Sequence, residues 1–319
     1  MGILYNMRDK VTIIIIDYKS SIQTFSCIEN IEKNCSNNIK FDYIVVDNTH
    51  SNNLKNADII CKYYIEKENT KFKEYEVSIG SYKNIEVTIC YTNENLGYAK
   101  GNNVGFLLSE WLFGNEYVIF SNNDLIFDEK FDVEKLIEPF QDEKVAVVGP
   151  DIIDNSGEIH QSPCKNVSFW QGTVENYYHM ISERLAPTWK SNIAYSAKSG
   201  VCDWVSGCFI VVRASDFNAI EGFDPGTFLY WEEAILGEKI RKIGKLIWFN
   251  NDVKIIHNHS TIVRKSYSEI ERLRLNYQSS IYYYSKYKEI SILQKIFSRI
   301  LFELFVPLFW AKNVIKLNH

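Results

Sequence analysis

The chain has 319 residues, 46% hydrophobic and 14% aromatic, enough to bury one large core or two modest ones. A net charge of -5 and a pI near 5.8 lack the basic footprint of a nucleic-acid binder, so no nucleic-acid partner is expected. Seven scattered cysteines (27, 35, 61, 90, 164, 202 and 208) form no C-x-x-C pair, which gives no zinc signature and favours a reducing cytosol. The first apolar run, Val11–Ile16, is nearly all β-branched and reads as a strand buried on both faces. Six residues are too few for a signal-peptide core or a spanning helix. Asp17, Tyr18 and Lys19 form a loop, and Ser20 or Ser21 caps a helix running to about Ile31. Tyr43–Val46 repeats the strand pattern and ends in Asp47 and Asn48; Val87–Tyr91 is a third strand, ending in a polar loop that reaches Gly97.

A helix through Asn102–Glu110 leads to the strand Tyr117–Phe120, which gives way abruptly to Asn122, Asn123 and Asp124. A helix over Phe131–Phe140 and a strand over Val145–Val148 follow. Strands alternating with helices predict βαβ units and a mostly parallel α/β sheet. Residues 55–83 are polar and weakly patterned, and read as an excursion from the sheet, a helix plus a loop. Residues 151–200 carry many aromatics (Trp170, Tyr177, Tyr178 and Trp189) but little periodicity, as a surface-shaping insertion would. Strands return over Cys208–Val212, Leu246–Phe249 and Val253–Ile256. Ser268–Glu289 reads as a helix, and Ile292–Trp310 as a more apolar one interrupted by Arg299, Glu303 and Pro307.

Polar clusters fall at successive strand ends: Asp17, Asp47-Asn48, Asn95 through Asn103, and Asn122–Asp124. On a parallel sheet such loops converge on one crevice. A carboxylate held there by a rigid strand can hold a divalent cation against phosphates, although Asn-Asn-Asp is also ordinary turn chemistry. Asp47 likewise suits an Asx-turn, a role compatible with ligand contact. Two further clusters are Tyr230-Trp231-Glu232-Glu233, after Gly222-Phe223-Asp224, and His257 with Ser260. A solitary histidine after a strand is more often structural, and paired acids often just open a solvated helix.

In this order the motifs resemble the inverting glycosyltransferases of family 2, with the GT-A fold, and among them the rhamnosyltransferase-like members of bacterial polysaccharide assembly. The matching segments are Ile16-Asp17-Tyr18, Val46-Asp47-Asn48, Asn95-Leu96-Gly97-Tyr98-Ala99 through Asn102-Asn103, Asn122-Asn123-Asp124, Gly207–Arg213, Gly222-Phe223-Asp224, Phe228 through Glu233, and His257 with Ser260. The resemblance covers roughly residues 11–285 and implies a catalytic domain over 1–265, with a nucleotide-sugar half to about 125 and an acceptor half beyond it. A helical extension follows over 266–319.

The resemblance also implies roles. A divalent cation, Mn2+ or Mg2+, is held by Asp124, with His257 completing its shell or contacting the diphosphate. Asp17, Tyr18, Asp47, Asn48, Asn95, Gly97, Asn103, Asn122 and Asn123 face a UDP- or dTDP-sugar donor carrying rhamnose or galactose. Asp47 and Tyr18 suit the base and ribose, while Asn95 and Asn103 reach ribose, phosphate or neighbouring loops. Glu233 aligns with the family's catalytic base and Glu232 adjoins it, whereas the family pattern has aspartate at the second position. Trp204, Tyr230 and Trp231 are the acceptor candidates, and the acceptor is a glycan or lipid-linked glycan of a cell-surface polysaccharide or capsule.

The competing readings are a non-catalytic sugar-binding or scaffolding protein of the same fold, and a nucleotidyltransferase. No G-x-G-x-x-G or G-x-x-x-x-G-K-[ST] loop follows the first strand, which counts against dinucleotide and P-loop enzymes. A cytoplasmic location is expected. The Ile292–Trp310 segment serves as a core helix, a homodimer contact or an amphipathic segment on the inner face of the membrane. Ile296, Phe297, Ile300, Leu301, Leu304, Phe305, Leu308 and Phe309 share roughly one face of it, and Lys295, Arg299, Lys312 and Lys316 supply positive charge.

Overall fold

The computed structural model describes residues 10–35, 39–49, 58–64, 75–92, 94–129, 131–157, 160–175, 177–178, 198–258 and 266–317. Trp189, Ser260 and parts of the 55–83 stretch lie outside the described residues. Strands β1 (Lys10–Asp17), β2 (Lys40–Asp47), β5 (Ile85–Tyr91) and β6 (Tyr117–Ser121) form the parallel centre of one sheet, in the order β5-β2-β1-β6. Helix α1 (Ser21–Asn34) connects β1 to β2, and α2 (Gly97–Leu112) connects β5 to β6. The β-branched run of β1 is divided between two cores, as its alternation requires. Val11, Ile13 and Ile15 join Phe25, Ile28 and Ile31 of α1 on one face, and Ile14 joins Phe106 and Leu108 of α2 on the other.

Antiparallel pairs enter on both flanks, so the sheet is mixed. Beyond β6 lie β10 (Phe209–Arg213), β8 (Val145–Ile153), β11 (Leu246–His257) and β7 (Leu125–Ile126), with β9 (Gly200–Cys202) also on β11. Between these strands stand α3 (Val133–Ile137), α4 (Ala214–Ala219) and α5 (Glu232–Lys242). The two strands predicted over 246–256 are one, bent at a register shift between Asn250 and Lys254. Asn250 causes the bend: its side chain accepts from the Asp252 N–H and donates to the Lys135 carbonyl.

The excursion predicted as a helix and loop instead contains strands. Residues Asp58–Tyr64 (β3) and Glu76–Tyr82 (β4) extend the sheet beyond β5. The β4–β5 hairpin turns at Lys83 and Asn84, with φ of 48° and 68°. Two consecutive left-handed residues are what a type I′ turn needs, but Lys-Asn carries none of the glycine that normally marks one.

Two helices follow the sheet. Helix α6 (Glu269–Tyr287) opens with a capping box between Ser268 and Glu271, and α7 (Ile292–Leu317) continues through Pro307. Asp224 of the Gly-Phe-Asp motif anchors α6. Its carboxylate accepts from Lys286 Nζ (2.7 Å), Tyr282 OH (2.8 Å), Tyr287 OH and the Gly226 N–H (2.9 Å). Burial alone would raise this carboxyl, but the bonds from Lys286, Tyr287 and Tyr282 outweigh it and hold it at about 2. The folded value lies below the ordinary ~3.9 of an unfolded aspartate, so the anchor's contribution is complete above about pH 4 and fades as pH falls toward 2. Asp224→Asn should therefore cost about 1–2 kcal/mol near neutral pH and little near pH 2, as read by urea unfolding of both proteins across that range. A pH-independent difference would show that Asp224 acts by shape alone.

Candidate active site

Two cavities meet at the carboxyl ends of the parallel strands and share Tyr98, Asn122 and Leu229 in their walls. The smaller, about 160 Å3, is bounded by Tyr18, Asn48, Asn95, Gly97, Asn122, Asn123, Asp124 and Tyr267. The larger, about 460 Å3, is bounded by Trp204, Gly207, Tyr230, Trp231, Glu232, Glu233 and His257. Of the residues singled out in the sequence, Tyr18, Asn48, Asn95, Gly97, Asn122 and Asn123 line the smaller space, and Trp204, Tyr230 and Trp231 line the larger.

Several donor-side candidates spend their side chains on hydrogen bonds within the walls. Asp17 accepts from Ser20 and from Thr24 Oγ1 (2.6 Å), so it serves the start of α1, and burial, aided by nearby Asp47, raises its carboxyl despite those bonds. Asp47 closes an Asx-turn on the Thr49 N–H at 2.8 Å. Asn103 is paired at 2.8 Å through both side-chain atoms with the backbone of Phe223, fixing the Gly-Phe-Asp turn to α2. Asn123, buried, donates to Ser20 Oγ and Thr24 Oγ1 and sets the loop after β6 against α1.

Gly97 has φ +74°, and a Cβ there would lie 2.3 Å from the Phe228 carbonyl oxygen. Only glycine permits that approach. The neighbouring Tyr98 N–H donates to the same carbonyl, and Asn95 Oδ1 caps the Gly97 N–H. The first segment of α2 is thereby locked to the chain leading into Glu232.

Asp124 and His257 come together because β7 pairs with the end of β11, Leu125 opposite His257. Asp124 is 6% exposed, and its Oδ1 lacks a hydrogen bond while facing His257 Nε2 at 3.3 Å. His257 Nδ1 lies 3.0 Å from Gln161 Oε1. With Nδ1 donating to that acceptor, Nε2 carries the lone pair turned toward Asp124, the arrangement in which a histidine ligates metal. A buried carboxylate oxygen without a hydrogen bond and an imidazole nitrogen facing it fit a divalent cation. Among the described residues no third histidine, cysteine, aspartate or glutamate joins them. A cation here would take its remaining ligands from water and substrate phosphate, as Mg2+ and similar ions commonly do.

Across the cleft, Glu232 and Glu233 open α5. The preceding residues Tyr230 and Trp231 both have left-handed backbones, φ 75° and 73°, a strained pair that aims the first turn of the helix. Glu233 Oε1 accepts from the Gly207 N–H at 3.0 Å, and any side chain at Gly207 would collide with it. Glu232 is 4% exposed, and its Oε1 has no hydrogen-bond partner among the described residues. Burial raises both carboxyls, and for Glu232 the adjacent charge of Glu233 adds to it. The helix N-terminus favours the charged forms, but desolvation wins. Gln161 and Tyr267 carry no legible signal in the sequence: Gln161 sits in the unpatterned 151–200 stretch, and Tyr267 just ahead of the α6 cap.

A mixed sheet of this order, with a cleft of this make-up at its carboxyl edge, defines a GT-A fold. Solved structures agree. One is GalNAc-T7 with UDP, GalNAc and Mn2+, with TM-score 0.57, 14% identity, and coverage of 89% of this chain and 49% of that one. Another is the mannosyltransferase PcManGT from Pyrobaculum calidifontis with GDP-Man and Mn2+, with TM-score 0.53, 12% identity, and coverage of 96% and 74%. The family model described as Glycosyl transferase family 2 matches residues 12–199, more than half of the chain, which therefore belongs to that family. An N-acetylglucosaminyl-diphospho-decaprenol L-rhamnosyltransferase of Mycobacterium tuberculosis is 25% identical over 206 residues, which cover 58% of this chain. The match spans 63% of that relative's length.

Proposed function

We propose that this protein is an inverting, metal-dependent glycosyltransferase. It would move a sugar from a nucleotide-diphosphate donor, a UDP- or dTDP-sugar, to a hydroxyl of a lipid-linked glycan. The observation that carries the reading is the continuous cleft. A buried carboxylate–imidazole pair stands at the junction of its two spaces, and two buried glutamates with raised carboxyls line its larger space. The rhamnosyltransferase relative supports a lipid-linked acceptor and a rhamnosyl donor, and both GT-A structures contain Mn2+ and a nucleotide.

In this mechanism Tyr18, Asn48 and Asn95 hold the nucleotide, and Tyr18 offers its ring to the base. Asp124 and His257 would hold the cation, which neutralises charge developing on the leaving diphosphate. Glu233 takes the proton from the acceptor hydroxyl at the face opposite the leaving group. The Gly207 N–H fixes one oxygen of Glu233, and burial keeps its basicity high enough for that transfer. The glutamate in place of the family's aspartate keeps a carboxylate on the cleft wall, which supports catalysis over a purely scaffolding role. Trp204, Tyr230 and Trp231 present aromatic faces on which an acceptor sugar stacks.

A thermal-shift screen of UDP, dTDP and GDP and their sugars, with and without Mn2+, tests the donor half of the reading. One base should raise Tm on the order of 5 °C at saturation, and only with cation present. No stabilisation by any nucleotide would contradict it.

A further inference from the structure

Helix α7 has two apolar faces. Phe302 and Phe305, with the hydroxyl of Ser298, are buried against α6 and Tyr177. On the opposite side Leu293 (73% exposed), Ile296, Phe297, Ile300, Leu304 and Leu308 form a stripe, each more than half exposed. The spacing 293, 296/297, 300, 304, 308 is one helical face, and it runs unbroken along about four turns. The single face read from the sequence thus divides, with Phe305 inward and Leu301 and Phe309 at the margins. No helix among the described residues is long and apolar enough to cross a membrane.

Two observations say what covers the stripe. The first is charge. Within 292–317 stand Lys295, Arg299, Lys312 and Lys316 against Glu303 alone, on a chain whose net charge is -5. Lys295, Arg299 and Lys312 lie within about one helix diameter of the stripe, near the ~10 Å over which charge acts in ordinary salt, and Glu303 pairs with Arg299 at 2.7 Å. A second copy would set two such positively charged helices against each other, whereas an anionic surface attracts them. The second is continuity with the cleft. Phe297 packs edge-to-face on Trp170, with ring centroids 5.8 Å apart. Trp170 is itself 38% exposed, and the next two residues, Gln171 and Gly172, line the larger cavity.

We infer that the α7 stripe, with Trp170 at its edge, lies on the surface of an anionic bilayer, the apolar side chains entering the headgroup boundary. The mouth of the larger cavity is thereby set at the lipid surface, where a glycan carried on a lipid presents its hydroxyl. That consequence rests on the transferase reading; the binding to lipid does not.

Co-sedimentation of the full chain with phosphatidylglycerol/phosphatidylethanolamine vesicles and with phosphatidylcholine vesicles tests the inference. The variants are Ile300→Glu/Leu304→Glu, on the stripe, and Trp111→Glu, an exposed aromatic elsewhere (63%). The wild type and Trp111→Glu should partition onto anionic vesicles, and the stripe variant should lose about tenfold or more. Higher salt should weaken the wild type and Trp111→Glu alike. Circular dichroism melting shows whether the variants are folded. Equal sedimentation of wild type and folded stripe variant overturns the inference. So does a wild type that ignores vesicles and forms a dimer that the variant dissolves, because a second copy then covers the stripe. Nucleotide stabilisation of the same preparations reports on the transferase reading separately.

Discussion

Asp124→Ala should abolish cation-dependent nucleotide binding while leaving the fold intact. The Asp124 carboxylate is buried, yet its Oδ1 makes no hydrogen bond, so truncation breaks none at that oxygen. His257 keeps its own support from Gln161. What disappears is the one carboxylate in the ligand pair, and with it ~10²-fold or more in affinity for a donor bound through the cation. Asp124→Asn should be nearly as poor, because the amide keeps the shape and loses the charge. Calorimetric titration of the stabilising nucleotide in Mn2+ reads both variants, and wild-type affinity in the alanine variant would sink the assignment.

Glu233→Gln should lower turnover by about 10²-fold or more with donor binding preserved. The amide oxygen still accepts from the Gly207 N–H, so the side chain stays where it is, and only its capacity to take a proton is lost. Because burial raises the Glu233 carboxyl, the wild-type rate should climb with pH through that raised value, and the variant should lose this limb. Glu232→Gln should do less damage. Its carboxyl is also raised, so a protonated acid and a neutral amide differ little there. The reverse ranking of the two variants would move the base to Glu232.

The parts of the fold that the sequence showed plainly are those in which one force acts alone. The runs Val11–Ile16 and Tyr117–Phe120 are so uniformly apolar that only a buried strand accommodates them, and both are in the parallel centre. The β4–β5 hairpin was hidden because Lys83-Asn84 takes a left-handed turn without glycine. The single β11 was read as two strands because Asn250 and Asp252 carry ordinary turn residues into a bulge.

At the site, residue type and loop position located both cavities but could not say which side chains are spent on the walls. Asn103 and Asn48 look alike in sequence. One is consumed by the backbone of Phe223, whereas the other lines the smaller space while holding Gly97 and Thr92. Asp17 and Asp124 both follow apolar strands, yet only Asp124 is left without a hydrogen bond at one oxygen. Such distinctions depend on long-range pairing, above all the β7–β11 register that brings His257 to Asp124 from 133 positions along the chain.

The most direct test of the account follows the anomeric carbon. The protein is incubated in Mn2+ with the sugar form of whichever nucleotide stabilises it and with a synthetic N-acetylglucosaminyl-diphospho-lipid, and the product is read by proton NMR. Nucleotide diphosphate should be released one-for-one with a glycoside of inverted configuration, and release should stop with chelator and with Glu233→Gln. A product of retained configuration, or transfer undiminished by both treatments, would contradict it.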